Sequence, residues 1–349
     1  MTDLKESAEP VLRVTDLTKH FKVGRRRSQQ TVRALDSVSL ELGTGQTIAL
    51  VGESGCGKST FARTVTRLYR PTSGTISVRG HEIADLSDRD VRSIRPHIQM
   101  IFQNPATSLD PRLPVLDSIL EPLRNFPELT PRDRRRQRAQ ELCELVGLPP
   151  SVLTSYPRQL SGGQRQRIAI ARALALAPAV IVADEPTASL DVSTQAQIVN
   201  LMLALQRSTD VSYLFITHNL ALARHLSHRV AVMYLGRIVE FTDAAELFEH
   251  PMHPYSVALL SRWVNTATTE LFAAGPADAS QQAQARRPIV LRGEVPSPAS
   301  PPSGCHFRTR CPIAAEICGT EYPPLRELKP GHQIACHFPG KFAASGTGS

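Results

Sequence analysis

Hydrophobic and polar positions follow two different periods along this chain, and together they predict a mixed α/β fold. Val38, Leu40 and Leu42 alternate with polar residues, which is typical of a half-buried strand. Short apolar runs predict further strands at 47–51, 75–78, 98–102, 180–183, 213–217 and 229–234, the last forming a hairpin with 238–241. Apolar residues at helical spacing predict helices over 59–69, 115–147, 165–176 and around 198–205. Strands that alternate with helices predict a mainly parallel sheet covered on both faces.

The composition of the chain changes after Trp263. Residues 266–287 are rich in Ala, Gln and Thr without a clear period, and four prolines stand between 296 and 302. Such a stretch is typical of a linker. Beyond it lies a short segment that holds four of the six cysteines, which are Cys305, Cys311, Cys318 and Cys336. We therefore expect a large domain over 1–262, followed by a linker and a small cysteine-bearing extension over 263–349.

The overall charge is basic, at +8 with a pI near 9.4. This balance favours polyanionic partners such as nucleotides, nucleic acid or an anionic membrane surface, and it does not choose among them. The arginine-rich stretch 132–138 opposes the apolar side of its predicted helix, which indicates a solvated surface rather than a nucleic-acid site. The longest apolar run, 173–183, is interrupted by Pro178, whereas a membrane-spanning helix needs ~20 apolar residues. The first residues lack the hydrophobic core of a signal peptide, so we expect a cytosolic protein.

The segment from Gly52 to Ser59 matches the phosphate-binding pattern GxxxxGK[ST]. It follows a predicted strand and precedes a predicted helix, which argues against a chance glycine turn. Glycines let the backbone curl so that its N–H groups point at phosphate oxygens, and the helix N-terminus adds its positive dipole end. We expect Lys58 to reach the β- and γ-phosphates of ATP and Ser59 to ligate Mg²⁺. The predicted ATP-binding residues of this loop are Gly52, Glu53, Ser54, Gly55, Cys56, Gly57, Lys58, Ser59 and Thr60.

A second motif is the apolar strand 180–183, which ends in Asp184 and Glu185. Asp184 is the candidate Mg²⁺ ligand, directly or through water. Glu185 is the candidate general base that polarises the attacking water. Alone, this strand end would fit an ordinary turn at Pro186, but together with a phosphate loop it indicates ATP hydrolysis.

Leu160–Gln164 resembles the signature sequence of the ABC ATPases. It stands before a predicted helix, so that Ser161, Gly162, Gly163 and Gln164 offer a hydroxyl and free N–H groups at a helix N-terminus. In that family the signature closes on the γ-phosphate held by the opposite subunit, and two ATP molecules join a head-to-tail dimer. The alternative, a serine-capped helix without a ligand, fits the surrounding order of motifs less well.

The same resemblance assigns several further residues. Gln103 matches the glutamine that senses Mg²⁺ and the partner, Asp191 lies in the D-loop, and His218 matches the switch histidine that contacts the γ-phosphate. Phe21 matches the aromatic residue that stacks on adenine, the alternative being an ordinary core position. Asn219 departs from the aspartate usual in the family, which affects local loop pairing and not the nucleotide contacts.

The C-terminal part resembles the ATPases of oligopeptide and dipeptide importers. The segments that carry this resemblance are 253–260, 293–298, 301–307 and 310–312, and those at 72–74, 108–112 and 213–215 resemble the second, F-type ATPase subunit of such systems. The resemblance extends from Val11 to about Pro339. It implies a RecA-like, mainly parallel core sheet, an antiparallel β part, a helical subdomain inserted at about 104–160 and a cysteine-rich C-terminal extension.

The family resemblance also implies function and partners. We expect a peripheral ATPase on the cytoplasmic face of the plasma membrane that drives uptake of di- or oligopeptides. Its partners would be a related second ATPase subunit, two transmembrane permease subunits and, indirectly, an extracytoplasmic substrate-binding protein, but not nucleic acid. Alternatives are the same engine serving another solute such as nickel, a soluble ABC ATPase acting on ribosomes or nucleic acid, or a module that binds ATP without hydrolysis. The single cassette argues against the second alternative, and Glu185 and His218 argue against the third.

The four C-terminal cysteines predict a metal centre. Four thiolates suit either Zn²⁺ or a [4Fe–4S] cluster, and none of the gaps between them is as short as the two to four residues typical of structural zinc. Disulfides are disfavoured in a reducing compartment. Zinc bound with His306, His332 or His337 in place of one cysteine remains an alternative. The resemblance implies a [4Fe–4S] cluster with a structural or regulatory role, because the extension is distant in sequence from the ATP motifs.

Overall fold

The computed structural model describes residues 9–24, 29–104, 108–263, 289, 291 and 293–344. The strands are β1 (Leu12–Val23), β2 (Gln30–Leu42), β3 (Thr47–Val51), β4 (Ser73–Val78), β5 (His81–Glu82), β6 (Ile98–Ile101), β7 (Val180–Asp184), β8 (Ser212–Ile216), β9 (Arg229–Tyr234), β10 (Arg237–Asp243), β11 (Arg326–Lys329) and β12 (His332–Ile334). The helices are α1 (Lys58–Val65), α2 (Val115–Asn125), α3 (Arg135–Leu145), α4 (Gly162–Leu174), α5 (Val192–Thr209), α6 (Leu220–Leu226), α7 (Ala244–Glu249), α8 (Pro254–Trp263), α9 (Ile317–Thr320) and α10 (Lys341–Ala344).

The larger sheet has eight strands in the order β11-β12-β10-β9-β3-β8-β7-β6. Strands β9, β3, β8, β7 and β6 run parallel, as in the register Ile48↔Leu214 and Val182↔Leu214. Every residue of β3, β7 and β8 is buried, which explains their continuous apolar sequences, because both faces of a parallel sheet are covered. The mainly parallel α/β core that the sequence predicts is confirmed.

The smaller sheet is antiparallel, in the order β2-β1-β4-β5. Val38, Leu40 and Leu42 lie on its buried side, as their alternation predicts. One core lies between this sheet, α1 and one face of the larger sheet. A second core packs the opposite face of the larger sheet against α2 to α6. The phosphate loop, between β3 and α1, thus lies at the carboxyl end of a strand that is fixed on both sides.

Two predicted helices are shorter than their apolar patterns suggested. The stretch 115–147 forms two helices, since α2 ends at Asn125 and α3 begins at Arg135, with Pro127 and Pro131 between them. Proline lacks an N–H group and disfavours helical conformation in the residue before it. The helix after the phosphate loop ends at Val65, because Arg67 adopts a left-handed conformation with φ 55°.

The C-terminal extension joins the larger sheet. β12 pairs antiparallel with β10, and β11 pairs with β12. The junction contains a buried polar contact, in which His332 Nε2 lies 2.8 Å from Glu240 Oε1 with both side chains almost inaccessible. Glu240 also accepts hydrogen bonds from the backbone N–H groups of Met252 and His253. The predicted linker 266–287 lies outside the described residues.

Among the described residues, none of the helices is long and apolar enough to cross a membrane.

Candidate functional site

A cavity of about 630 Å³ opens at the carboxyl ends of the parallel strands, next to the phosphate loop. That volume is suitable for a nucleotide-sized ligand. The cavity brings together many of the predicted site residues, namely Phe21, Ser54, Gly55, Cys56, Gly57, Lys58, Ser59, Thr60, Gln103, Glu185 and His218. Phe21 lines the cavity from β1, and its ring meets that of Tyr69 edge to face at 5.5 Å.

The phosphate loop has the curled backbone that anion binding needs. Gly55 and Gly57 have φ values of +79° and +112°, which residues other than glycine rarely adopt. Lys58 is buried at the base of the loop, and its Nζ donates to the carbonyl oxygens of Gly52 at 2.8 Å and Glu53 at 2.9 Å. The ammonium group therefore lies beneath the backbone N–H groups, where a phosphate oxygen can replace its carbonyl partners.

Two oxygen ligands suited to Mg²⁺ are already paired beside the loop. The Ser59 hydroxyl donates to Asp184 Oδ1 at 2.9 Å. Asp184 is only 2% exposed, and burial raises the pKa of its carboxyl, opposed by the Ser59 hydrogen bond and the charge of Arg63. A hydroxyl and a carboxylate are ligands that Mg²⁺ prefers, and substrate phosphates usually complete such sites. Asp184 and Ser59 therefore fit a Mg²⁺ ion that arrives with ATP.

Glu185 occupies a strained backbone position that aims its carboxylate into the cavity. Its φ is 47°, a costly conformation for a residue with a side chain, and its N–H donates to Ile216 O at 3.0 Å. Oε2 of Glu185 accepts from Gln103 Nε2 at 3.1 Å and lies 3.2 Å from His218 Nδ1. Gln103 and His218 thus both contact one oxygen atom of Glu185, although the three residues follow three different strands and Gln103 lies 82 positions before Glu185.

The signature residues and Asp191 lie outside this cavity. Ser161 caps α4, with its Oγ accepting from Gln164 N at 3.2 Å and the Gln164 side chain accepting from Ser161 N at 2.9 Å. Asp191 caps α5 through Thr194 N at 2.9 Å, and hydrogen bonds from Ser193 and Thr194 lower the pKa of its carboxyl. The two helix ends meet, because a Cβ on Gly163 would lie 2.7 Å from the Thr194 methyl group. Ser161–Gln164 and Asp191 thus form a second polar surface on the same chain.

Several residues that line the cavity are not among the predicted site residues. Pro298 lines the cavity from the proline-rich segment, and its carbonyl accepts from Arg33 N at 3.0 Å. Val32, Ala34, Leu235 and Gly236 complete the wall beside Phe21. They belong to strand ends and a hairpin turn, so only the pairing of distant strands brings them to the site.

The departure at Asn219 has a local structural role. Its Oδ1 accepts from the N–H groups of Ala221 at 3.0 Å and Leu222 at 3.3 Å, which caps the N-terminus of α6. An amide oxygen performs this function as well as a carboxylate does. The turn that carries His218 is therefore held without the aspartate.

The four C-terminal cysteines lie near one another and are free thiols. Cys305 N donates to Cys318 O at 2.9 Å. Burial, with the charges of Cys305, Cys311 and Cys318, raises the pKa of the Cys336 thiol to about 12. Burial, with the charges of Cys305 and Cys318, likewise raises that of Cys311 to about 11.

No group of three or more His, Cys, Asp or Glu side chains in the described part of the chain is arranged to hold a single metal ion. Two of the histidines considered as alternative ligands are engaged elsewhere. His332 Nε2 pairs with Glu240, and His337 Nε2 lies 3.1 Å from Glu321 O. The donors that remain are the four thiols and His306, whose Nδ1 is buried without a hydrogen-bond partner among the described residues.

A phosphate loop at the end of one parallel strand, with an acidic pair at the end of another, defines a P-loop nucleotide-binding protein. The family model for ABC transporters matches residues 35–188. The model described as the oligopeptide/dipeptide transporter C-terminal region matches residues 239–271 and 268–318. The chain belongs to the ATP-binding subunits of ABC transporters, in the group that carries this C-terminal region.

The similarity to curated relatives extends over almost the whole chain. The oligopeptide transport ATP-binding protein AppF of Bacillus subtilis is 46% identical over 95% of this chain and 98% of its own length. The di/tripeptide transport ATP-binding protein DppF of Pseudomonas aeruginosa is 46% identical over 96% of this chain and 99% of its own. A solved dimeric ATP-binding cassette bound to ADP and Pi matches with a TM-score of 0.60 and 31% identity, over 67% of this chain and 98% of that chain. The ABC cassette fold implied by the signature sequence is thereby confirmed.

Proposed function

We propose that this chain binds and hydrolyses ATP to drive the import of di- or oligopeptides through separate membrane subunits. The observation that carries the proposal is the carboxylate of Glu185, held by Gln103 and His218 at the cavity beside the phosphate loop. The names of the relatives and the matched C-terminal region support peptides as the solute. The alternative is that the same ATPase drives the import of another solute, such as nickel.

The residues of the phosphate loop bind the nucleotide. The loop N–H groups and Lys58 take the β- and γ-phosphates, while Phe21 stacks on the base. Ser59 and Asp184, with Gln103, hold Mg²⁺, which when bound neutralises charge on the phosphates. Lys58 exchanges its two carbonyl partners for phosphate oxygens, so that binding does not leave the buried ammonium unpaired.

Glu185 acts as the general base. Its carboxylate accepts a proton from the water that attacks the γ-phosphorus atom, while the bond to the β-phosphate oxygen breaks and ADP and Pi form. Gln103 fixes the orientation of the carboxylate, and His218 contacts the γ-phosphate. Because His218 is 62% exposed, it can move toward the nucleotide without unpacking the core.

A second subunit completes the site. Ser161–Gln164 and Asp191 present N–H groups and a hydroxyl away from this chain's own cavity, so they are placed to contact a nucleotide held by a partner. The solved dimeric cassette supports such an arrangement. We infer that the partner is a related but different ATPase subunit, as for F-type chains in two-ATPase importers.

A groove beside Gln103 is suited to a membrane subunit. It has a volume of about 220 Å³ and lies between β6, α2 and α4. Leu68 and Phe102 on its rim are 44% and 38% exposed, and two exposed apolar side chains at one groove are suited to contact with a short helix. Two permease subunits would dock there, with an extracytoplasmic binding protein delivering the peptide, and the chain would then act at the cytoplasmic face of the plasma membrane.

The proposed division of the chain keeps the ATPase cassette at 1–262, with the helical subdomain at about 104–160. The linker and the cysteine-bearing extension follow over 263–349.

We propose that Cys305, Cys311, Cys318 and Cys336 hold a [4Fe–4S] cluster, with zinc as the alternative. Tetrahedral zinc with bonds of ~2.3 Å would draw four sulfur atoms to within roughly 4 Å of one another, whereas a cubane takes four thiolates that are further apart.

Peptide-driven turnover tests the function. In vesicles that contain the co-expressed transporter, uptake of a labelled tripeptide should require ATP, and Lys58→Ala should abolish both nucleotide binding and uptake. If nickel and not peptides stimulates ATP hydrolysis by the transporter, nickel is the transported solute instead. If RNA stimulates ATP hydrolysis in the absence of membrane subunits, the importer assignment is contradicted.

Mass determination of the purified complex should show two distinct ATPase chains, and two copies of this chain alone would overturn the heterodimer.

Iron analysis tests the cluster. Protein purified without oxygen should be brown and contain ~4 iron atoms per chain, because a cubane cluster holds four. Cys143→Ser, at a buried cysteine of the helical subdomain, is the matched control and should keep the iron, whereas Cys311→Ser should lose it. Colourless protein with one zinc per chain, obtained under the same conditions, would replace the cluster with zinc.

A further inference from the structure

The loop between Cys305 and Cys311 reaches the phosphate loop through one residue, Arg310. Arg310 Nη1 donates to Glu53 Oε2 at 2.6 Å, and Nη2 donates to Glu53 Oε1 at 3.1 Å. The Arg310 side chain is 6% exposed and that of Glu53 is 20% exposed. A two-pronged, largely desolvated guanidinium–carboxylate pair is among the strongest and most directional contacts available to a protein. It joins residues 257 positions apart.

The backbone of Glu53 is fixed from the same side. Its N–H donates to the hydroxyl of Tyr255 at 2.9 Å. Tyr255 is fully buried, with its ring 5.5 Å from that of Phe307, two residues after Cys305. The side chain and the backbone of one phosphate-loop residue are therefore both held by the C-terminal part of the chain.

The charge of Glu53 makes this contact relevant to ATP. Glu53 is the second residue of the phosphate loop, and its carbonyl accepts from Lys58 Nζ at 2.9 Å. Glu53 does not line the cavity, but a negative charge within the phosphate loop opposes the binding of a polyanion, and such repulsion is weakly screened where side chains are buried. Arg310 neutralises that carboxylate and holds it away from solvent.

We propose that Arg310 is a positioning residue of the nucleotide site, which fixes the phosphate loop through Glu53 and offsets its charge. The inference rests on the proposed function, because it concerns the same ATP site. It also makes ATP affinity depend on how the loop 305–311 is held. The extension, although distant in sequence from the ATP motifs, therefore acts on the first of them directly.

The test is a set of affinities for a fluorescent ATP analogue, measured on the full-length chain with thermal unfolding in parallel. Arg310→Gln should raise the Kd by about 5- to 150-fold, the usual range of coupling between distinct sites. In a Glu53→Gln background the same substitution should change the Kd less than about twofold, because no charge remains to be offset. Arg310→Lys should recover part of the loss.

Arg308→Gln is the matched control, since Arg308 lies in the same loop and its side chain donates hydrogen bonds to Ser303 instead of to the phosphate loop. Its Kd should equal that of the wild type. A purely structural role for Arg310 would lower the melting temperature without changing the Kd, and equal losses of affinity with and without Glu53 would likewise overturn the proposal. If Arg310→Gln does not fold, the same comparison of Kd values is made with Arg310→Lys, in the wild-type and Glu53→Gln backgrounds. Failure of the wild-type chain to bind the analogue would overturn the proposed function as well.

Discussion

Replacing Glu185 with glutamine is expected to leave ATP binding intact and to slow hydrolysis by about 10²–10⁴-fold, the usual effect of removing a positioned general base. Glutamine preserves the shape of the side chain and can still contact Gln103 and His218, but it cannot take a proton from water. The measurement is single-turnover hydrolysis by the assembled transporter, beside nucleotide affinity.

The same variant should accumulate an ATP-bound dimer, because closure continues when cleavage stops. Size-exclusion chromatography with ATP, compared with ADP, would reveal it. Glu249→Gln, at the end of α7 and outside the cavity, serves as the matched control and should hydrolyse ATP normally. Turnover by Glu185→Gln at the rate of the wild type would remove Glu185 from the role of base.

Replacing Gly57 with alanine is expected to abolish tight nucleotide binding. Gly57 has φ +112°, and a Cβ there would lie 2.4 Å from the carbonyl oxygen of Ala34, a backbone atom of β2. Backbone strain of about 1–3 kcal/mol together with this contact corresponds to a loss of affinity of roughly 100-fold or more. Titration with a fluorescent ATP analogue measures it.

Substitutions at two other glycines separate the effect of backbone strain from the effect of the close contact with Ala34. Gly55 in the same loop has φ +79° with nothing within 4 Å of an added Cβ, so Gly55→Ala should weaken binding less. Gly45 also has a positive φ and open space but lies outside the loop, and Gly45→Ala should leave the Kd unchanged. If Gly57→Ala binds ATP as tightly as Gly45→Ala does, the loop is not the phosphate site.

The parts of this protein that the sequence predicts well are those with a local signal. Apolar runs predict the buried strands, and the observed range of β7, for example, differs from its predicted range by one residue. The phosphate loop and the acidic pair are short motifs whose residue types follow from phosphate chemistry. Their assembly needs only the rule that parallel strands present their carboxyl ends on one edge of the sheet.

What the sequence does not predict are contacts between distant, aperiodic segments. Nothing in the local pattern around Arg310 indicates Glu53 as its partner, since a single arginine near a cysteine is normally a solvated residue. The same is true of Pro298 at the cavity wall. Strand β11 is missed because all four of its residues are exposed, so that no alternation of burial marks it. These features depend on tertiary packing, which overrides the local preference of each segment.

The addition of β12 to β10 has a consequence for the solubility of the whole cassette. An open edge strand offers unpaired N–H and C=O groups to any other chain, and an apolar one invites aggregation. β10 is almost entirely buried, with Ile238, Val239 and Phe241 in its sequence, so its bare edge would be such a template. With the C-terminal hairpin in place, the strand at this edge is instead β11, a short segment of sequence RELK whose four residues are all exposed and three of them charged. Charged, short edges resist the addition of further strands, and the C-terminal hairpin therefore protects the ATPase from pairing edge to edge with its own copies.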